Sequence, residues 1–103
     1  MMSRPAPTPL RIEGELTIYR AAELKAQLLE PLQGDAVLEV DLSHVSELDT
    51  CGVQLLMLAK RMAQAQGGEM HLSGHSAAVL EVFDLLDLAG HFGDPLVISS
   101  AAA

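Results

Sequence analysis

Carboxylates, hydroxyls, an imidazole and a thiol crowd into one short run, Asp41-Leu42-Ser43-His44-Val45-Ser46-Glu47-Leu48-Asp49-Thr50-Cys51-Gly52. Thr50 ranks first as a functional residue. A hydroxyl at the amino end of a helix faces outward into a field that favours anions, so a phosphate placed there would be stabilised. The same position also suits capping, by Thr50 or by Asp49 beside it, where a side-chain oxygen accepting an orphan backbone N–H contributes about 1 kcal/mol. The two roles are compatible.

Other chemistries fit less well. Cys51 is the single cysteine, which excludes an internal disulfide. A helix amino end raises the thiolate fraction of a thiol, but no Lys or Arg adjoins Cys51 in sequence, and free cysteines commonly pack as small apolar residues. Asp41 and Asp49 resemble a magnesium pair only in residue type, since such residues more often close turns on their own backbone. His44, His71, His75 and His91 lack ligand spacing and are expected on the surface or in turns. No G-x-S-x-G elbow accompanies Ser43 or Ser46, and Gly67-Gly68 precedes a strand where a phosphate loop would follow one. The pattern is that of a non-enzyme with no metal and no cofactor.

These residues need a frame to present them. Ala36 to Asp41 reads as a largely buried strand, with Leu38 and Val40 on one face and Val37 on the other. From Val53 to Gln66 the periodicity is that of an amphipathic helix. A strand feeding a helix puts the intervening 43–52 loop at the carboxyl edge of a sheet, where open α/β folds place their working surfaces. Upstream, Leu10 to Ile12 and Glu15 to Thr17 read as short strands hinged at Gly14. Thr17 is positioned to cap a helix from about Tyr19 to Leu32 with Leu24 and Leu28 as its stripe. Downstream, Gly67-Gly68 ends the second helix, Met70 and Leu72 mark a strand, and Ser76 caps a third helix reaching about Asp87. Val79, Val82, Phe83 and Leu86 recur along that helix at helical spacing, Gly90 ends it, and Pro95 to Ile98 adds a short edge strand. The order predicts a single α/β domain over 10–98, with a small mixed β-sheet, right-handed crossovers and helices mainly on one face. Residues 1–9 form a flexible arm and 99–103 a tail.

At 100° per residue, Leu55, Leu58, Ala59, Met62 and Ala63 of the second helix group on the side expected to face the sheet. Val53, Met57, Lys60, Arg61 and Gln64 group opposite. Val53 and Met57 would then be apolar residues on an otherwise polar face beside Thr50. This is a docking patch, with Lys60 and Arg61 supplying charge complementarity.

Composition narrows the partners. The chain of 103 residues is half apolar, yet no run approaches the roughly 18 apolar residues of a membrane span. Its start lacks the apolar core of a secretory signal, so a cytoplasmic protein is expected. A formal charge of −8 repels phosphate backbones and anionic headgroups, which argues against nucleic-acid binding and membrane insertion. Tyr19, Phe83 and Phe92 are too sparse for a base-stacking platform.

The run D-L-S-x-V-S-x-x-D-T-x-G over 41–52, followed by an apolar helix, resembles the STAS family. Gly14-Glu15-Leu16-Thr17 before a helix and the Leu80 to Leu88 segment extend that resemblance over roughly residues 10–98. The family includes bacterial anti-sigma-factor antagonists, sulfate-transporter tails and a subunit of an ABC-type lipid-trafficking complex. In antagonist members the phosphoacceptor immediately precedes the motif glycine. Here that residue is Cys51, which leaves Thr50 as the phosphoacceptor candidate. The wording Asp49-Thr50-Cys51-Gly52 is closer to the lipid-trafficking subunit and to members linked to chemotaxis. The resemblance implies a non-catalytic regulatory module; the motif loop and the helix face read above together predict protein binding through Ser43, Ser46, Asp49, Thr50, Cys51, Gly52, Val53, Met57, Lys60 and Arg61. Its partner would be an anti-sigma or kinase-type regulator, a chemotaxis signalling protein or, alternatively, an ABC ATPase. A nucleotide-binding role sits poorly with the acidic balance and the missing phosphate loop.

Overall fold

The computed structural model describes residues 6–86. β1 (Thr8–Leu16) leads through a 3₁₀ turn (Ile18–Arg20) into α1 (Ala21–Leu29), then β2 (Val37–Leu48), α2 (Thr50–Ala65), β3 (Glu69–Ser73) and α3 (Ala77–Leu86). The sheet order is β1-β2-β3, and both pairings are parallel. Parallel neighbours need long crossovers, which α1 and α2 supply. The antiparallel part of the expected mixed sheet is therefore missing among the described residues, and the strand expected at 95–98 lies outside them.

One face of the sheet is apolar and one polar. Ile12, Leu38, Val40, Met70 and Leu72 are buried and meet Leu24 and Leu28 of α1, Leu56 of α2 and Val79 and Phe83 of α3 in one core. Arg11, Glu13, Glu39 and His71 alternate with them and are exposed. This period of two sets the sidedness, and the helices cover the apolar face.

Four sequence expectations change here. The hinge at Gly14 is absent: Thr8–Leu16 is one strand, and Thr8 and Pro9, assigned to the arm, open it. Gly14 takes φ +81° inside that strand, with the Arg20 guanidinium close by. Arg20 donates to the carbonyls of Glu13 and, at 2.8 Å, Glu15. Thr17 makes no side-chain cap; its hydroxyl lies 3.3 Å from the Glu15 carboxylate, and a 3₁₀ turn precedes the shorter α1.

The third change concerns the polar loop, most of which is strand. β2 runs without a break to Leu48. Its register against β1 slips twice, because Arg11 and Glu13 pair with Asp41 and His44, and Gly14 and Glu15 with Val45 and Glu47. Each slip inserts one additional residue in β2, as a β-bulge does. The inward positions become Leu42, Val45 and Leu48, three apart instead of two, so the segment does not look like a strand in sequence.

Fourth, His75 is wholly buried rather than on the surface, its ring set edge-on to Phe83 at 5.6 Å between centroids. His44 and His71 are exposed, and His91 lies outside the described residues. The cap at Ser76 is present, its hydroxyl accepting the Val79 amide at 3.2 Å.

Candidate partner-binding site

Asp49 organises the carboxyl edge of the sheet. It is the N-cap of α2, one carboxylate oxygen accepting the Gly52 amide at 2.9 Å. The other oxygen accepts the Ile18 amide at 3.0 Å, tying the 3₁₀ turn after β1 to the start of α2. The hydrogen bond from the Ile18 amide, then that from Gly52, holds the Asp49 carboxyl below the usual carboxylate range. Gly52 completes the node, since a side chain there would run into the carbonyl oxygen of Leu16. The spacing of Asp49 and Gly52 thus follows from capping geometry and from close approach of helix to strand.

With the cap supplied by Asp49, Thr50 is left exposed as the first residue of α2. In the 3₁₀ turn that Asp49 ties to this helix start, Ile18 and Tyr19 are large side chains at 62% and 89% exposure. Neither was singled out in sequence: Tyr19 fell inside the expected helix and Ile18 just ahead of it, and the available signal was two large side chains, Ile18-Tyr19, directly after a strand.

The faces of α2 differ from those expected. Gly52, Val53, Leu56, Ala59 and Ala63 are buried, so Val53 belongs to the core and not to a docking patch. Leu55 and Leu58, expected under the sheet, are only half-buried. The helix carries Leu at 55, 56 and 58, and its apolar arc is too wide for periodicity to choose a centre. Packing places the smallest side chains, Gly52, Ala59 and Ala63, on the buried side and leaves larger ones to its flank.

That flank and α1 enclose an open groove of about 550 Å³. Cys51, Leu55 and Leu58 line it from α2 with Gln54, Met57 and Arg61, and Lys25 reaches it from α1. Met57 is partly buried and also packs on the core. Lys60 points elsewhere and donates to the Met70 carbonyl of β3 at 3.2 Å.

The remaining expected site residues scatter. Ser43 is half-buried, its hydroxyl 2.9 Å from His44 Nδ1. Ser46 is exposed in a shallow depression shared with Thr17, Glu47, Asp49 and Glu81 of α3. Asp41 accepts the Ser43 amide at 2.9 Å and faces Arg11 Nε at 3.4 Å. Burial pushes its carboxyl up, but the Ser43 hydrogen bonds and the Arg11 guanidinium together leave it lowered. Asp49, Thr50, Cys51 and Gly52 are therefore brought together, Ser46 shares a depression with Asp49, Met57 and Arg61 join Cys51 in the groove, Val53 is turned into the core, and Ser43 and Lys60 contact other residues. No described helix is long and apolar enough to cross a membrane.

This parallel α/β domain, in which a capped helix follows a bulged, polar strand end, has a STAS-type fold, shared with the solved structures below. Residues 2–98 match the family model described as "Mlab, STAS domain", and the chain belongs to the STAS domain family. It is similar to the anti-sigma-B factor antagonist of Bacillus subtilis (strain 168), 29% identical over 79 residues that span 77% of this chain and 72% of that protein. The unphosphorylated anti-sigma factor antagonist SpoIIAA has the same fold, with a TM-score of 0.69 at 24% identity over 99% of this chain and 88% of that one. The SulP transporter STAS domain from Vibrio cholerae also shares it, at TM-score 0.64 and 18% identity over 93% of this chain and 77% of that one.

Proposed function

We propose that this protein is a non-catalytic regulatory module of the anti-sigma-factor-antagonist type, docking a signalling protein at the carboxyl edge of its sheet. The observation that carries this reading is the exposed Thr50 on a helix end held by Asp49, which also holds the turn carrying exposed Ile18 and Tyr19. A rigid platform with an unburied hydroxyl and adjacent apolar anchors suits recognition that a phosphate can switch. Similarity to an anti-sigma-B factor antagonist supports it. The docking surface comprises Thr50, Cys51, Ile18, Tyr19 and the groove flank of α2, and Thr50 is the phosphoacceptor.

A second reading has its own observation. Cys51 stands immediately before Gly52, where antagonist members of the family carry a phosphorylated hydroxyl, and the matching family model is described by the name Mlab. On that reading Thr50 is a permanent contact to an ABC ATPase.

Capture from source-cell lysate on wild type, Thr50→Ala and Thr50→Glu, with partners identified by mass spectrometry, separates the two. A kinase-type or anti-sigma regulator kept by Thr50→Ala and lost by Thr50→Glu supports the switch. An ATPase lost by both supports the transporter reading. A partner bound equally by all three removes Thr50 from the site.

A further inference from the structure

The basic residues of this acidic chain are not evenly engaged. Arg11 faces Asp41, Arg20 holds Glu23 and two backbone carbonyls, and Lys60 donates to Met70. Among the described residues, Lys25 and Arg61 are the Lys and Arg side chains without a hydrogen-bond or ion-pair partner. Both line the same groove, one from each helix, and no described residue lining it is acidic although the chain carries 14 acidic residues. Two cations therefore flank an apolar floor that no described carboxylate lines, on a molecule whose net charge is −8.

The floor has the geometry of a helix seat. Cys51, Leu55 and Leu58 lie at i, i+4 and i+7 along α2, the spacing at which one helix presents apolar contacts to another. Arg61 follows three residues later, so the stripe runs for about 15 Å, roughly three helical turns. A small molecule is usually held by burying most of its surface, yet Cys51, Leu55 and Leu58 are only partly buried and Gln54, Lys25 and Arg61 are exposed, which makes this an open trough. Leu58 does not belong to the core packing that holds Leu55 and Met57, and so is free to serve a partner.

We propose that the groove between α1 and α2 docks an acidic amphipathic helix of a protein partner, its apolar side on Cys51, Leu55 and Leu58 and its carboxylates facing Lys25 and Arg61. This rests on the reading of the chain as a protein-binding module and names the chemistry of the partner. Carboxylates meeting two otherwise unengaged cations gain attraction without breaking an existing ion pair, and the same cations repel a basic segment.

The test uses the full chain and a displayed library of about twelve-residue helical peptides as the probe. Selected peptides are expected to be rich in Asp and Glu, with apolar residues three and four apart. Their affinity should fall roughly tenfold on the Lys25→Glu/Arg61→Glu double variant, drop as salt is raised, and fall again on Leu58→Asp. Neutral or basic winners, equal binding to the double variant, or no selected peptide overturns the proposal. A wild-type dimer abolished by Leu58→Asp, or dodecanoate filling the groove while no acidic peptide is selected, also overturns it, in favour of a second copy or a small amphiphile. The partner captured on Thr50 variants is then titrated on the groove variants. Sensitivity to Thr50→Glu without sensitivity to the double variant removes the groove and keeps the regulatory reading, whereas insensitivity to both removes both.

Discussion

Gly52, in the first turn of α2, lies against the carbonyl oxygen of Leu16, the last residue of β1. A methyl group at position 52 would collide with that oxygen and come within 2.8 Å of Leu48 Cδ1. Helix and strand are as close here as a backbone without a side chain allows, and the obstacle is backbone, which cannot swing aside. Gly52→Ala gains helix propensity of about 1 kcal/mol but forces α2 away from β1. Overpacking of this kind costs about 1–3 kcal/mol or more. The net result expected is a lower melting temperature in thermal unfolding; an unchanged or raised value would show that the helix is not held this tightly.

Asp49 couples the 3₁₀ turn to α2 through its ionised carboxylate, and this gives stability a pH dependence. Its folded-state pKa lies below the ordinary aspartate value, because the Ile18 and Gly52 amides donate to the carboxylate. The contribution is therefore complete above the unfolded pKa and is lost as pH falls through the folded one. Asp49→Asn keeps one acceptor and turns its amide towards the Ile18 N–H, removing that bond. The gap in stability between wild type and Asp49→Asn should be about 1 kcal/mol at neutral pH and close as the pH falls below 3.8. Denaturant melts at several pH values measure it, and a gap independent of pH would mean that the charge on Asp49 is not involved.

Val53 and Leu58 provide a contrast between two faces of one helix. Val53 is 4% exposed, and a charge there has no partner, so Val53→Asp should cost about 3 kcal/mol or more and leave the domain largely unfolded. Leu58→Asp, on the groove flank, should cost no more than about 1 kcal/mol. Circular dichroism melts of the two variants decide the orientation of α2, and the reverse order would mean that the helix is rotated.

Thr50 carries no capping duty, which separates its functional role from its structural one. Thr50→Ala should change stability by less than about 0.5 kcal/mol. Thr50→Glu places a negative charge at the positive end of the helix and should stabilise slightly, by about 0.3–1 kcal/mol. Any loss of partner binding in either variant then reports on the interface and not on folding. A loss of stability of about 1 kcal/mol in Thr50→Ala would return the cap to Thr50.

Much of this molecule is legible in its residues, and the failures have physical causes. Val37 to Asp41, Met70 to Leu72 and the Ser76-capped third helix follow plain periods and plain caps, and the structure has them all. The segment from Leu42 to Leu48 defeats a period-two reading because its bulges respace the inward residues. The turn of α2 about its axis is hidden because three leucines within four positions permit several buried stripes, and only the sheet beneath selects among them. Lys25 could not be assigned to the site from spacing along the chain, since it reaches the groove from a different helix.

The two register slips between β1 and β2 also bear on how this protein tolerates change. His44, Ser46 and Glu47 point outward and accept many replacements, whereas Leu42, Val45 and Leu48 are held inward only because two additional residues are accommodated between them. Removing one residue anywhere from 43 to 47 would turn a buried leucine or valine toward water and retract Asp49 from the Ile18 amide. The stretch therefore behaves as a fixed-length spacer, permissive about the identity of its residues and strict about their number, so that insertions and deletions there should be far more damaging than substitutions.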